Sequence, residues 1–403
     1  MLKDKTILLG VTGGIAIYKS VDLVSRLKKA GANVEVVMTD AAREFVSPLT
    51  FQTMSENVVH NDMFNLLGQV DVEHISLAQK ADVILIAPAC ANTIGKIANG
   101  IADNLLTTIV MAATSKTVFA TAMNTKMLEN PIVQENIDKL KNLGYEFIEP
   151  TVGMLACGDY GSGKMAEPQN IVEYLESFFT KKDLEGQKII VTAGPTREAI
   201  DPVRYMSNHS SGKMGYSIAK NAANRGAEVV LISGPSSIEP PLGVKFLSVV
   251  TTDDMFKAVE SEFEDSDVLI KAAAPSDYKA EDISVEKIKK KIDTDSISIR
   301  FVKNPDIARH FGNIKKNRIV VGFAAETSKL HEYAFEKLEK KNLDFIVAND
   351  VNREGAGFDG DTNIVSIIDR QGDTIEYPKM DKNEVANIIL DKVKYILDEK
   401  ARF

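Results

Sequence analysis

The stretch 187–215 constrains the fold more than any other. It begins Gln187-Lys188-Ile189-Ile190-Val191-Thr192, a short apolar strand, and Ala193-Gly194-Pro195 ends it. A polar loop carrying Arg197, Asp201, Arg204, Asn208 and His209 follows. Ser210-Ser211-Gly212 then opens a helix on which Met214, Ile218, Ala219 and Ala222 recur at helical spacing. Strand, small-residue loop and helix N-terminus is a layout that binds phosphate, because free N–H groups and the helix dipole both face the anion. This is how a domain begins, yet it sits near the middle of the chain. Residues 6–30 have the same layout: an apolar strand at 6–10, the loop Val11-Thr12-Gly13-Gly14, and a helix at 15–30 with Val21, Val24 and Leu27 facing inward. Gly31 ends that helix and a strand follows at 34–38, so a βαβ unit and a parallel sheet are expected. The chain therefore reads as two nucleotide-type α/β domains in tandem. Its 403 residues favour two domains over one core as well. Thr180-Lys181-Lys182-Asp183 is the expected linker, dividing the chain into 1–182 and 183–403.

In the first domain, further strands are expected at 83–87 and 118–122, and a helix at 92–110. A helix at 130–143 is opened by Asn130-Pro131 and closed by Gly144. Residues 153–165 hold four glycines in thirteen positions, which suits a mobile flap. The helix at 170–179 closes the domain. In the second domain, strands are expected near 229–233, 268–272, 319–323, 345–348 and 364–368, with a closing helix at 385–397. The charged segment 279–300 interrupts them.

Net charge and motifs narrow the function. A charge of −9 with scattered basic residues argues against a general nucleic-acid binder. No apolar run reaches the ~20 residues needed to span a membrane. The N-terminus has no signal-peptide form. Only two cysteines are present, Cys90 and Cys157, which suits a reducing cytoplasm. The loop 10–14 is neither GxGxxG nor a Walker A sequence, and no CxxC, HExxH or histidine cluster marks a structural metal.

Several residues can do chemistry, each with a plainer alternative. His74 can take a proton near neutral pH or be a structural histidine. Asn124 follows a strand ending at the ligand face of the sheet, and is equally a turn residue. Cys157 sits between flap glycines, an unusual place for a structural thiol. Asn92, Asn99, Asp103 and Asn104 can hold a planar cofactor or cap helices. Asp277 can hold Mg²⁺ or a ribose, or serve as a turn aspartate. Lysine clusters at 287–291 and 337–341 are ordinarily solvated faces. Beside a phosphate-type helix N-terminus they also fit a triphosphate site.

Five segments fit one family. They are Thr192-Ala193-Gly194-Pro195-Thr196-Arg197-Glu198, Asn208-His209-Ser210-Ser211-Gly212-Lys213-Met214-Gly215, Lys303-Asn304-Pro305-Asp306-Ile307, Gly322-Phe323-Ala324-Ala325-Glu326-Thr327 and Ala348-Asn349-Asp350. On these the chain resembles, over nearly its whole length, the bifunctional phosphopantothenoylcysteine decarboxylase / phosphopantothenate–cysteine ligase family of coenzyme A biosynthesis. The resemblance implies two tandem doubly wound α/β domains, a flavodoxin-like FMN domain followed by a Rossmann-like ligase domain. In the first, Gly14, Ile15, Ala16, Thr39, Pro88, Asn92 and Thr107 match flavin-contacting segments. His74 matches the histidine base, Asn124 the substrate-carboxylate asparagine and Cys157 the proton donor. In the second, Asn208 matches the residue of the acyl-nucleotide step. Asp277, Lys287, Asn304, Pro305, Asp306, Ile307, Phe323, Lys337 and Lys341 match nucleotide-binding positions.

The resemblance further implies CTP, cysteine and 4′-phosphopantothenate as substrates, with FMN and Mg²⁺ as cofactors. It implies a homo-oligomer built from trimers of the FMN domain and dimers of the ligase domain. Thr121 and Leu128 depart from the family's usual proline and aromatic, which bears on local packing more than on chemistry. The residue types fit the reactions. A carboxylate β to a thiol leaves only if its electrons have a sink, which flavin oxidation of the thiol provides. Lysines and Mg²⁺ suit a triphosphate attacked at its α-phosphorus. Two rivals are a peptide-modifying cysteine decarboxylase with an unrelated second domain, which the ligase motifs oppose, and a regulatory flavoprotein, which His74, Asn124 and Cys157 oppose.

Overall fold

The structure, a computed structural model, describes residues 2–63, 72–155, 158, 160–289, 297–326, 330–350 and 360–402. It separates into two compact units, Met1–Thr180 and Lys181–Phe403.

The first unit has a flavodoxin-like layering, a parallel sheet between two helix layers. Its strands are β1 (Thr6–Val11), β2 (Asn33–Met38), β3 (Val59–His60), β4 (Val83–Ala89), β5 (Lys116–Thr121) and β6 (Glu146–Ile148), in the order β3-β2-β1-β4-β5-β6. All pairings are parallel. Strand alternation splits the core in two: Ile7, Leu9 and Val11 face one cluster, and Leu8 faces the other. Pro88 falls where the β4–β5 register shifts, as a residue without an N–H must in a central strand.

The first helices are α1 (Ile17–Lys29), α2 (Asp40–Arg43), α3 (Pro48–Ser55), α4 (Glu73–Lys80), α5 (Ala91–Ala98) and α6 (Leu105–Ala112). The helix expected at 92–110 is thus two helices. Asn104 restarts the chain with a capping box, its side chain accepting from Thr107 N at 3.0 Å. Next come α7 (Thr125–Leu128), α8 (Pro131–Asn142), the antiparallel hairpin β7 (Thr151–Met154) and β8 (Tyr160–Lys164), and α9 (Pro168–Phe179).

The described residues of the expected flap belong to this hairpin and the turn beside it, and two of its glycines have a further use. Thr125 Oγ1 donates to Ser162 O at 2.6 Å, and Met123 N donates to Gly163 O at 3.0 Å. A Cβ at Gly163 would lie 2.1 Å from Met123 O, and one at Gly161 2.4 Å from Thr125 Oγ1. Those two glycines let the hairpin dock on the loop after β5.

The second unit repeats the plan. Its elements are β9 (Lys188–Ala193), β10 (Arg197–Ala199), β11 (Tyr205–Ser207), α10 (Lys213–Asn224), β12 (Glu228–Ser233), β13 (Lys245–Ser248), α11 (Thr252–Phe263), β14 (Val268–Lys271), β15 (Tyr278–Ala280), β16 (Phe301–Lys303), α12 (Ile307–Ile314), β17 (Ile319–Glu326), α13 (Leu330–Lys340), β18 (Phe345–Asp350), β19 (Thr362–Asn363), β20 (Val365–Asp369), β21 (Thr374–Glu376), β22 (Met380–Asp381) and α14 (Lys382–Lys400). The main sheet runs β13-β12-β9-β14-β17-β18-β20-β21. It is parallel through β18, and β20 and β21 close it antiparallel. The polar loop after β9 holds the hairpin β10–β11, and β15 pairs with β16. Among the described residues, no helix is long and apolar enough to cross a membrane.

Candidate active sites

In both sheets the strand order reverses direction beside the first strand, between β1 and β4 and between β9 and β14. Ligands of open α/β sheets bind outside the carboxyl ends of the strands at such points. Each unit has a cleft there.

The first cleft encloses about 570 Å³. Gly13, Gly14, Ile15 and Ala16 from the loop after β1 line it, with Cys90 after β4 and Ala122, Met123, Asn124 and Met127 after β5. Met154, Leu155 and Met165 supply further apolar wall. No side chain caps α1, and within its first turn Ile17 N donates to Gly14 O and Lys19 N to Ala16 O, each at 3.0 Å. A Cβ at Gly14 would meet nothing within 4 Å, so the loop presents bare backbone to open space. An open glycine turn at a helix N-terminus, beside a broad apolar wall, fits a planar ring carrying a phosphate. Asn124 is half-buried and caps α7, its Oδ1 accepting from Lys126 N at 2.9 Å.

The other expected flavin residues stand back from this cleft. Thr39 is the N-cap of α2, Pro88 is buried within β4, Asn92 is exposed on α5, and Thr107 is buried in the α6 capping box. Thr12 Oγ1 donates to Pro88 O at 2.6 Å, tying the β1 loop to β4. His74 lies on α4, half-buried and outside the lining of this cleft. Cys157 falls outside the described residues.

Lys19 gave no signal in the sequence, because a lysine on an amphipathic helix ordinarily faces water. It is buried, lines the cleft, and donates to Met165 O at 2.8 Å and Glu167 Oε1 at 2.9 Å. Lys19 holds the Glu167 carboxyl below its ordinary value. It therefore pins the chain leaving the hairpin to α1. Thr121 and Leu128, the two departures from the family pattern, share a separate cavity of about 450 Å³. The Thr121 hydroxyl is buried, with no hydrogen-bond partner among the described residues.

The second cleft encloses about 450 Å³. The segment Asn208 to Gly215 forms one wall, Lys271 to Pro275 and Asp277 the floor, and Phe323, Lys337 and Lys341 the far side. Gly215 brings α10 against β9: a Cβ there would sit 2.6 Å from Ala193 Cβ. Gly212 is the N-cap of α10, with no side-chain cap. Lys213, Lys271, Lys337, Lys341 and Lys382 all line the cleft, against one lining carboxylate among the described residues, Asp277. Such a surface takes a polyanion.

A buried network sets the walls. Glu198 Oε1 accepts from Thr252 N and Thr252 Oγ1, both at 2.8 Å, and Thr196 Oγ1 accepts from Ser276 N at 2.9 Å. These bonds join the β9 loop, the N-terminus of α11 and the β14 loop. The Thr196 and Glu198 of the recognisable motif are scaffolding. Asn208 Nδ2 donates to Pro275 O at 3.0 Å, across the floor. Asn304 braces the same turn, its N donating to Asp277 O and its Nδ2 to Ser276 O, each at 2.9 Å. Asp306 pairs with Lys341 at 3.0 Å, and Pro305 and buried Ile307 lie behind this rim.

Lys287 is exposed and is not among the lining residues. Its segment is fastened to the β10–β11 hairpin, where Asp201 accepts from Val203 N and Arg204 N at 2.8 Å and from Ile288 N at 3.2 Å. Burial would raise the Asp201 carboxyl, but these N–H groups hold it below its ordinary value. Lys213, Lys271 and Lys382 were missed in the sequence. A lysine ending an otherwise apolar strand, as in Val268-Leu269-Ile270-Lys271, was the available signal.

Residues 1–180 match the Flavoprotein family, and residues 184–396 match the DNA/pantothenate metabolism flavoprotein C-terminal domain. The coenzyme A biosynthesis bifunctional protein CoaBC of Bacillus subtilis (strain 168) is 48% identical over 397 residues, covering 98% of this chain and 97% of that protein. The protein of the same description from Escherichia coli (strain K12) is 42% identical over 404 residues, covering 100% of this chain and 99% of that protein. A solved C-terminal domain of a coenzyme A biosynthesis bifunctional protein CoaBC is 42% identical, covers 54% of this chain and 100% of its own, and superposes with a TM-score of 0.47.

Proposed function

The chain belongs to the family of coenzyme A biosynthesis bifunctional proteins, and on that premise we propose how its two clefts divide the work. It is a bifunctional enzyme, a phosphopantothenate–cysteine ligase and a phosphopantothenoylcysteine decarboxylase. The observation that carries the division is the contrast between the clefts. One is apolar with an uncapped helix N-terminus, and the other is lined by five lysines. We assign decarboxylation to 1–182 and ligation to 183–403.

In the ligase cleft the carboxylate of 4′-phosphopantothenate attacks the α-phosphorus of CTP and releases pyrophosphate. The cysteine amine then attacks the acyl carbon of the acyl-cytidylate and releases CMP. Lys337, Lys341 and the N–H groups of α10 balance charge building on the phosphates. Asn208 contacts the acyl-nucleotide. Phe323 and the segment Asn304 to Ile307 shape the nucleotide wall. Among the described residues no cluster of three metal-ligating side chains occurs. Asp277 would be the protein carboxylate for Mg²⁺ carried on the triphosphate, and the ion would offset phosphate charge there, in keeping with the few protein ligands it needs. Lys287 reaches the triphosphate only if its segment moves toward the cleft.

In the decarboxylase cleft Gly14, Ile15 and Ala16 hold the phosphate of FMN, and the apolar wall takes its ring. When bound, FMN supplies the two-electron oxidation and reduction that release of CO₂ from the cysteinyl group requires. Asn124 binds the departing carboxylate and His74 takes a proton. Cys157 returns one to the product. His74 stands outside the cleft of its own unit, which supports a site completed by a second copy. A trimer of FMN domains would do this, with dimers of the ligase domain. Low cysteine usage supports a cytoplasmic enzyme.

The test is incubation of the full chain with 4′-phosphopantothenate, cysteine, CTP and Mg²⁺. One CMP per phosphopantothenoylcysteine formed, then CO₂ and 4′-phosphopantetheine, is the expected outcome. Absence of CMP release from flavin-loaded protein would overturn it.

A further inference from the structure

β14 ends with Lys271 after three buried apolar residues. Val268 and Ile270 enter one core cluster and Leu269 the other, so alternation sends Lys271 to the Leu269 side of the sheet. There it lines the cleft with Lys337, Lys341, Ala308 and Ile346. Lys341 pairs with Asp306 and Lys213 with Asp361. Among the described residues the Lys271 side chain makes no hydrogen bond or ion pair.

We infer that the Lys271 ammonium binds the phosphate chain of the nucleotide in the ligase reaction, as a further contact beside Lys337 and Lys341. The inference rests on the ligase reading above. A desolvated cation among other cations is stabilised by an anion that arrives from solution. The charged groups around it agree. Burial pushes the Lys271 ammonium down to about 8, repulsion from Lys341 and Lys337 adds to this, and Asp306 and Asp277 offset it in part. A bound triphosphate reverses the balance and draws the proton back. Below about pH 8 Lys271 is already charged. Above it, nucleotide binding must take up a proton and weakens as pH rises.

The experiment titrates the full chain with CTP and Mg²⁺ by calorimetry at about pH 7 and about pH 9, in buffers of different ionisation enthalpy. Steady-state ligation is measured in parallel. The wild type is expected to take up protons on binding at the higher pH. Lys271→Met is expected to weaken CTP about ten- to a hundredfold at neutral pH, abolish that proton uptake, and leave the KM for cysteine unchanged. Lys271→Arg should recover most of the affinity. Wild-type CTP affinity in folded Lys271→Met would overturn the inference, as would a loss confined to kcat or to the KM for cysteine. A wild type that neither binds CTP nor ligates would overturn the ligase reading instead.

Discussion

Glu35 and His60 lie on neighbouring strands, β2 and β3, and His60 also reaches Glu73, the first residue of α4 and the neighbour of His74. The nearby His60 imidazole holds the buried Glu35 carboxyl at about 2, burial opposes it, and Lys80 adds to the lowering. Burial pulls His60 down, but Glu35 and Glu73 outweigh it and hold the imidazole above its ordinary value of 6.5. The sign of the pH dependence follows. A raised histidine contributes its full stability below 6.5 and loses it as pH rises through the folded value. The depressed carboxylate contributes above 4.5 and loses it as pH falls toward about 2. The two shifts describe one interaction and are not added. His60→Gln is expected to cost about 1.5–3 kcal/mol at mildly acidic pH and progressively less at alkaline pH. Thermal midpoints of both proteins across pH check this, and an NMR titration of His60 ending at or below its ordinary value would contradict it. Because the bond anchors the first turn of α4, the same variant is expected to slow decarboxylation and spare ligation.

Element by element, helix starts were the most legible feature. Asn130-Pro131 caps α8 as read, with Asn130 Oδ1 accepting from Ile132 N at 3.0 Å. The hairpin β7–β8 carries a contact that composition did not disclose. Gly163→Ala is expected to destabilise by about 1–3 kcal/mol, because the new Cβ meets Met123 O at 2.1 Å and Gly163 has a φ of +135°. Displacing Met123 disturbs the loop carrying Asn124, so CO₂ release should fall while CMP release is kept. Equal decarboxylation by this variant would show that the hairpin contact is dispensable. Four glycines in a short segment had suggested mobility, but composition cannot separate a glycine that frees the chain from one that lets two backbones meet. The same limit applied to Thr196 and Glu198, whose part in a buried network depends on Thr252 and Ser276, far along the chain. The break between α5 and α6 was missed because helical spacing continues across it. Only the capping bond of Asn104 reveals a second start.

Across the whole molecule, the repeated strand–loop–helix layout disclosed two α/β units, and both sheets do share one strand order through their first six main strands. That order puts a cleft at the carboxyl ends of β1 and β4 and of β9 and β14; Asn124, read as following a strand to the ligand face, lines the first, and Asn208, read in the polar loop after β9, lines the second. What patterning could not reach is anything that depends on a neighbouring wall. Lys271 drew no notice as the end of an apolar strand, and the place of Lys287 outside the cleft lining depends on how its segment folds against the β10–β11 hairpin. Each unit has its own sheet, core clusters and cleft, and the proposed reactions are joined by one intermediate, whose route between clefts can be measured. This gives a complementation test with two full-length variants. His74→Asn should ligate and accumulate phosphopantothenoylcysteine. Asn208→Ala should ligate about a hundredfold more slowly yet decarboxylate phosphopantothenoylcysteine supplied directly. Mixed with 4′-phosphopantothenate, cysteine, CTP and Mg²⁺, the two should make 4′-phosphopantetheine after a lag that shortens as total protein rises, because the intermediate must leave one cleft and find another. Product formed without a lag would mean that the intermediate passes within mixed assemblies. A mixture that stays inert, while each variant keeps its single activity, would mean that both intact sites must lie in one chain.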